Sequence, residues 1–429
     1  MRPFAVKPVS ISGRMRFVVA QIGSRHGYAV PTILEKAGML ERFYTDVAAD
    51  VGFGRWLVKC GPLMGLRNVA ARLAARRVPE CIRARTRTFA WPCFWFACNR
   101  ALCGADAEAR FRLQLCWGRA LGTAMVRSGF GKATHLYSTL GECGPTLAES
   151  KRRGLTVVTE IYILLRTEQI LKRENELFPD WEPPPTDLNI VRQEFGGEGD
   201  PIALTDFAVC PSEAVLQDLE QNFGFPAGRS AVVPYGLQEN WFEGTSRPVN
   251  GRVLFVGTAC LRKGIHYLAK AAQHLRAKGR TYEFRVAGDV TSQIANHPET
   301  RHLSFLGRIP RHELRQEYGS ADVFVLPSLA EGSAEATYEA LATGLPVVTT
   351  AASGSPVRDG IDGRIVSERD PALLALAIEQ IVENRPLRAK MAKSARRRAR
   401  GYTLERYGER LVTALRSFNP LRINRLTRI

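Results

Sequence analysis

Residues 321–350, ADVFVLPSLAEGSAEATYEALATGLPVVTT, decide the fold class. DVFVLP is a short, continuously apolar run and PVVTT is a second, so both read as buried strands. Between them lie a glycine-containing turn, EGS, and a stretch of helical spacing over 335–343. A strand, a turn, a helix and another strand make a parallel crossover, and strands apolar on both sides belong to a sheet covered on both faces. The same pattern extends outward. RVLFV, YEFRVA and LSFL precede this unit and GRIV comes after it, with helices expected over 264–275, 311–318 and 371–383. Six short strands interleaved with helices predict a doubly wound α/β domain.

The first half carries the same grammar more faintly. RFVVAQI at 16–22 reads as a buried strand ending in Gly23, and helical spacing continues over 28–40. A helix is expected from Asp106, whose carboxylate can cap it, to about Val126. THLYS, LTVVTEI and DFAVC are further strands, and Ser212 caps the helix after the last of them. The polar connector YGLQENWFEGTSRPVNG, 235–251, is the expected domain boundary. The expected organisation is a flexible leader over 1–14, a first Rossmann-like domain over 15–245, and a second over 246–402. A final segment, 403–429, combines a helix returning to the first domain with a basic tail.

Composition narrows the function classes. The 429 residues are 45% hydrophobic and 24% charged, a globular balance. Nine cysteines without one C-x-x-C pair disfavour a zinc finger or a disulfide scaffold, and reduced thiols imply a cytoplasmic location. The opening MRPFAVKPVSISGR has no apolar core of a signal peptide, and Met15 is an alternative start. No run is long and apolar enough for a membrane span. The net charge of +18 is uneven: residues 51–132 hold 15 Lys/Arg against 3 Asp/Glu, and residues 385–429 hold 14 against 2. In the first zone Arg83, Arg85 and Arg87 run into Phe89, Trp91, Phe94, Trp95 and Phe96. Such a mixture suits either ordinary amphipathic helices or an interfacial surface on an anionic membrane, with a peripheral position on its cytoplasmic face. No nucleic-acid-binding signature accompanies it.

Ligands of doubly wound sheets sit beyond the carboxyl ends of the strands. Those positions are Gly257 to Lys263, Gly288 and Asp289, Gly307 and Arg308, and Ser328 to Ala334. Two adjacent cations, Arg262 and Lys263, with several glycines suit a ligand carrying a diphosphate and hydroxyl groups. Gly332, Ser333 and Ala334 open a helix whose N–H groups can face phosphate or sugar oxygens. Glu331 points from this turn, and Glu339 lies two helical turns on.

FVGTACLRKGIHYL, VAGD, LSFLGRI, the 321–350 segment, GSPVRDGIDGRIV and YTLERYGERL occur in the order that resembles glycosyltransferase family 4, the retaining "group 1" transferases. The resemblance spans roughly 250–417. It implies a GT-B fold, two Rossmann-like doubly wound domains facing each other across a cleft. A UDP- or GDP-sugar donor would be held by the second domain and a glycan or lipid-linked acceptor by the first. By the family pattern Arg262 and Lys263 grip the donor diphosphate, Glu331 meets the donor sugar and Glu339 the ribose. Gly307, Arg308 and Ile309 lie near the base, and Gly23 and Gly257 belong to the donor-facing loops. Three departures stand out: Thr258 replaces an arginine, Ser333-Ala334 replaces Phe-Gly, and Glu160 stands where many members carry His-Asp. Glu160 and His26 are the candidates for contact with acceptor or sugar, each with an ordinary structural reading beside it. The chain lacks D-x-D, so no metal and no cofactor beyond the donor are expected. The implied activity is metal-independent hexosyl transfer in cell-surface polysaccharide or glycolipid synthesis. A nucleotide-sugar epimerase and a non-catalytic scaffold are the alternatives.

Overall fold

The computed structural model describes residues 15–104, 106–184, 200–243 and 246–418. The expected leader, 1–14, and the end of the basic tail, 419–429, lie outside the described residues.

The second-half strands form where the apolar runs placed them. They are β8 (Arg252–Val256), β9 (Glu283–Ala287), β10 (Leu303–Gly307), β11 (Val323–Leu326), β12 (Val347–Thr350) and β13 (Gly363–Val366). They make one six-stranded sheet in the order β10-β9-β8-β11-β12-β13, and every pairing is parallel. All four residues of β11 and of β12 are buried, as strands covered on both faces must be. Helices Ile265–Ala277, Arg311–Ser320, Glu335–Ala342 and Pro371–Glu383 supply the cover. The order reverses between β8 and β11, which is the switch point where such sheets open a crevice at their carboxyl ends.

The other sheet has seven strands in the order β3-β2-β1-β4-β5-β6-β7. Its strands are β1 (Phe17–Ala20), β2 (Leu40–Thr45), β3 (Thr86–Thr88), β4 (His135–Thr139), β5 (Thr156–Glu160), β6 (Phe207–Cys210) and β7 (Ser230–Val232). Two sequence expectations need correction here. The helix placed over 28–40 ends at Lys36, because Gly38 takes a left-handed turn and Leu40 starts β2. Helix Arg385–Ala399, unforeseen, is held by Arg385 and Arg388 on the buried carboxylate of Asp322. The capping expectations stand: Asp106 accepts from Glu108 and Ala109 N–H, and Ser212 from Val215 N–H.

The chain forms two compact units, Met1–Thr159 with Leu188–Phe207, and Glu160–Asp187 with Ala208–Ile429. The connector 235–251 therefore lies inside the second unit. There Leu237 pairs with Thr403, and Arg410 of helix Leu404–Ser417 donates to the carbonyls of Pro234 and Tyr235. Segment 160–184 also belongs to this unit. Its fully buried Glu174 accepts from Tyr267 and Arg369 and meets His266 at 2.9 Å. Burial pushes that carboxyl up, but these partners outweigh it and hold it below its ordinary range.

Candidate donor-binding site

The carboxyl ends of β8, β9 and β10 finish in glycine, and the backbone explains why. Gly257 N–H donates to Ala287 O, and Gly288 N–H donates to Gly307 O. At φ +144°, a Cβ on Gly288 would lie 2.1 Å from the Gly257 carbonyl oxygen. A Cβ on Gly257 would lie 3.0 Å from the end of the Lys263 side chain. The glycines thus form a floor of bare backbone over which Lys263 lies. Gly307 has open space where its Cβ would be.

After β8 a short 3-10 turn, Leu261–Lys263, presents both cations, and Gly264 at φ +72° turns the chain into the following helix. After β11 the chain reaches Glu331. β8 and β11 are neighbours in the sheet, so the two loops meet at the switch point. Arg262 and Glu331 pair at 2.8 Å, Lys263 and Glu331 at 2.9 Å. Arg262 also donates to Ala330 O, and Leu329 N–H returns a bond to Arg262 O. Burial raises the Glu331 carboxyl, but Lys263 and Arg262 prevail and hold it below its ordinary range. Burial likewise opposes the Arg262 charge, and Glu331 more than compensates. The outcome is a cluster of two cations and one carboxylate, locked in position and carrying one net positive charge. Such a preset arrangement can meet a diphosphate without first reorganising.

The turn after Glu331 is tightly built. A Cβ on Gly332 would lie 1.8 Å from Tyr162 O, so only glycine fits beside segment 160–184. Ser333 Oγ donates to Gly354 O and lies 2.6 Å from Tyr338 Oη, so it serves the turn itself. Ala334 N–H is committed to Ser353 O, which trims the set of turn amides open to a ligand to those of Gly332 and Ser333. Glu339 does not join the cation cluster. Partly buried on helix Glu335–Ala342, it accepts from Tyr318 Oη at 2.8 Å, and burial raises its carboxyl to about 7. Arg308 is 80% exposed and pairs with Asp289, and Ile309 beside it is half-buried.

The remaining candidates lie elsewhere. Glu160 is buried and accepts from Tyr235 Oη at 2.9 Å. Gly23 N–H donates to Asp46, whose carboxylate is paired with Arg76, and Ile22 N–H donates to Glu142. The loop after β1 therefore spends both amides on protein carboxylates. His26 is half-buried beside it with φ +48°, left-handed backbone rare for a histidine. Sequence reasoning missed Glu182, which accepts from Leu261 N–H at 3.0 Å and sits against the cation-bearing turn. It read Ser212 as a helix cap and missed its second contact, in which Oγ donates to Gly332 O. Neither contact has a local signal, since each reaches its partner across a long stretch of chain.

Two parallel sheets, the second with glycine-ended strands and a cation–carboxylate cluster at its switch point, define a doubly wound, Rossmann-like α/β protein. The fold is α/β of the GT-B type. The structure of Anabaena HepE with UDP aligns over 94% of this chain and all of its own, with TM-score 0.57 and 15% identity. WaaG, a glycosyltransferase of lipopolysaccharide biosynthesis, aligns over 92% and 97% with TM-score 0.56 and 15% identity. Residues 238–398 match the family described as glycosyl transferases group 1. Among curated relatives, a D-inositol 3-phosphate glycosyltransferase of Corynebacterium urealyticum is 28% identical over 55% of this chain. A putative colanic acid biosynthesis glycosyltransferase, WcaL of Salmonella typhimurium, is 26% identical over 46% of it. The chain spans 66% and 53% of the lengths of these two relatives.

Proposed function

We propose that the protein is a retaining, metal-independent glycosyltransferase that moves a hexosyl group from a UDP- or GDP-sugar to a glycan or lipid-linked acceptor. The observation that carries this reading is the Arg262–Glu331–Lys263 cluster at the β8/β11 switch point, inside the group 1 segment. A leaving diphosphate gains negative charge as the glycosidic bond breaks, and two fixed cations stabilise it most at that moment. Arg262 and Lys263 perform this task, so the transfer needs no divalent ion and no cofactor. Glu331 orients both cations and meets the donor sugar. Glu339 accepts from the ribose hydroxyls, and Gly307, Arg308 and Ile309 lie along the base. The acceptor hydroxyl attacks the anomeric carbon on the face the diphosphate leaves, the departing phosphate oxygen takes its proton, and configuration is retained.

The first unit, with His26, would hold the acceptor, and Glu160 would orient acceptor or sugar. Relatives named for colanic acid and amylovoran biosynthesis support a role in cell-surface polysaccharide or glycolipid synthesis. Solved neighbours that hold UDP or UDP-glucose support the donor class. A cytoplasmic protein resting on the membrane face fits a lipid-linked acceptor. Among the described residues no helix is long and apolar enough to cross a membrane.

The test is incubation with labelled UDP- and GDP-sugars and extracted membrane lipids or glycans. Label appearing in the acceptor fraction supports the transferase. Donor epimerised or hydrolysed with no labelled acceptor points to the epimerase alternative. Nucleotide binding without turnover points to a scaffold.

A further inference from the structure

We propose that helices Gly52–Cys60, Arg67–Ala74 and Ala90–Leu102 form an interfacial docking surface that seats the first unit on an anionic lipid bilayer. This rests on the peripheral membrane position within the reading above and supplies the surface responsible for it.

Helix Ala90–Leu102 is amphipathic in the wrong sense for water. Its inner side packs on helix Ala107–Ser128, with Phe96 stacked on Trp117 at 4.6 Å. Its outer stripe should be charged, yet Trp91 is 75% exposed and Leu102 84%. Phe94 and Trp95 lie between them at helical spacing and are also exposed. Helix Gly52–Cys60 repeats the feature: Phe53 and Trp56, both exposed, stack on each other at 5.2 Å. The turn Gly61–Met64 then presents Leu63, 89% exposed, with Met64 beside it. Exposed apolar stripes on helices that pack together mark an interaction surface.

Charge chooses the partner. From 51 to 105 the sequence holds ten Lys/Arg and a single acid, Glu80. Arg76, Arg83 and Arg85 are spent on Asp46, Asp50 and Glu35. Arg55, Lys59, Arg67 and Arg72 are exposed and have no carboxylate partner among the described residues. A second copy docked face to face would set cation against cation, whereas lipid phosphates neutralise them while the rings settle at headgroup depth. In the second basic zone no large apolar side chain is exposed among the described residues. Its Arg385, Arg388, Arg396, Arg398 and Arg410 bond to carboxylates or carbonyls of the same unit.

The test is flotation of the full chain with vesicles of phosphatidylcholine alone and with phosphatidylglycerol added, beside nucleotide titration of the same samples. The parent should bind the anionic vesicles, and Leu63→Ser/Trp91→Ser should lower partitioning by roughly tenfold or more, with nucleotide affinity unchanged. Arg55→Glu/Lys59→Glu should lose the dependence on phosphatidylglycerol. Absence of vesicle binding by the parent, or binding unaltered in both variants, overturns the proposal. So does self-association without lipid that Leu63→Ser/Trp91→Ser abolishes, since the occupant would then be a second copy. A parent that floats with vesicles but binds no nucleotide leaves this surface standing and refutes the transferase reading instead.

Discussion

Nucleotide-sugar affinity should rise with pH through neutrality, and Glu339 should be the cause. Burial lifts its carboxyl to about 7, with Tyr318 Oη pulling it back and Glu335 pushing it up. The other charges facing it are Arg311 and Arg315, which pull it down, and Tyr318 itself is pushed well above its ordinary range. A carboxylate that accepts from ribose hydroxyls serves best when ionised, so at low pH binding must first expel a proton. Apparent affinity scales with the fraction already ionised, about a tenth at pH 6 and nine tenths at pH 8 for a group near 7. The expected gain is about tenfold, or ~1.4 kcal/mol. A nucleotide-sugar is the right probe because its diphosphate is esterified at both ends and does not titrate in this window. Calorimetry in two buffers of different ionisation enthalpy would also report the released proton. Glu339→Gln should bind more weakly than the parent at pH 8 and show no slope. A flat parent profile, or a slope that survives in Glu339→Gln, would refute the reasoning. The same group sets a stability trend of defined sign. The folded state keeps a proton that the unfolded chain gives up near the ordinary 4.5, so its contribution falls as pH rises from there to about 7.

Lys263→Ala should lower kcat by ~10²–10³ in steady-state transfer assays if it stabilises the leaving diphosphate, and unchanged turnover in a folded variant would remove it from that role. Gly264→Ala places a Cβ 2.0 Å from Pro327 O at a left-handed position. It should cost ~2–5 kcal/mol in urea denaturation, and a variant as stable as the parent would show that the turn relaxes freely. Excess EDTA should leave transfer intact, whereas a loss that Mg²⁺ restores would contradict metal independence.

How far the sequence could be read depended on where each residue finds its partners. β8, β11 and β12 were legible because parallel strands buried on both faces are continuous apolar runs. β2 was not, since Glu41 and Arg42 interrupt LERFYT. Their charges are absorbed over long distances, Glu41 by Arg16 and the Lys132 N–H, Arg42 by the Ser128 carbonyl. β3 and β7 have three residues each, too few for any period. At the site, Arg262, Lys263 and Glu331 were legible because they sit just beyond the carboxyl ends of apolar runs, where ligands of such sheets bind. Their mutual pairing was invisible, because it depends on β8 lying beside β11. The contacts of Glu182 with Leu261 and of Ser212 with Gly332 could not be read from the sequence, because tertiary packing alone makes them.

The most direct measurement is titration of UDP and GDP into the parent and into Arg262→Ala/Lys263→Ala, with melting temperature as the folding control. One of the two nucleotides should bind the parent, and the double variant should lose ~100-fold or more in affinity while remaining folded. Equal affinity in the two proteins would mean that the cluster built around Glu331 holds no diphosphate.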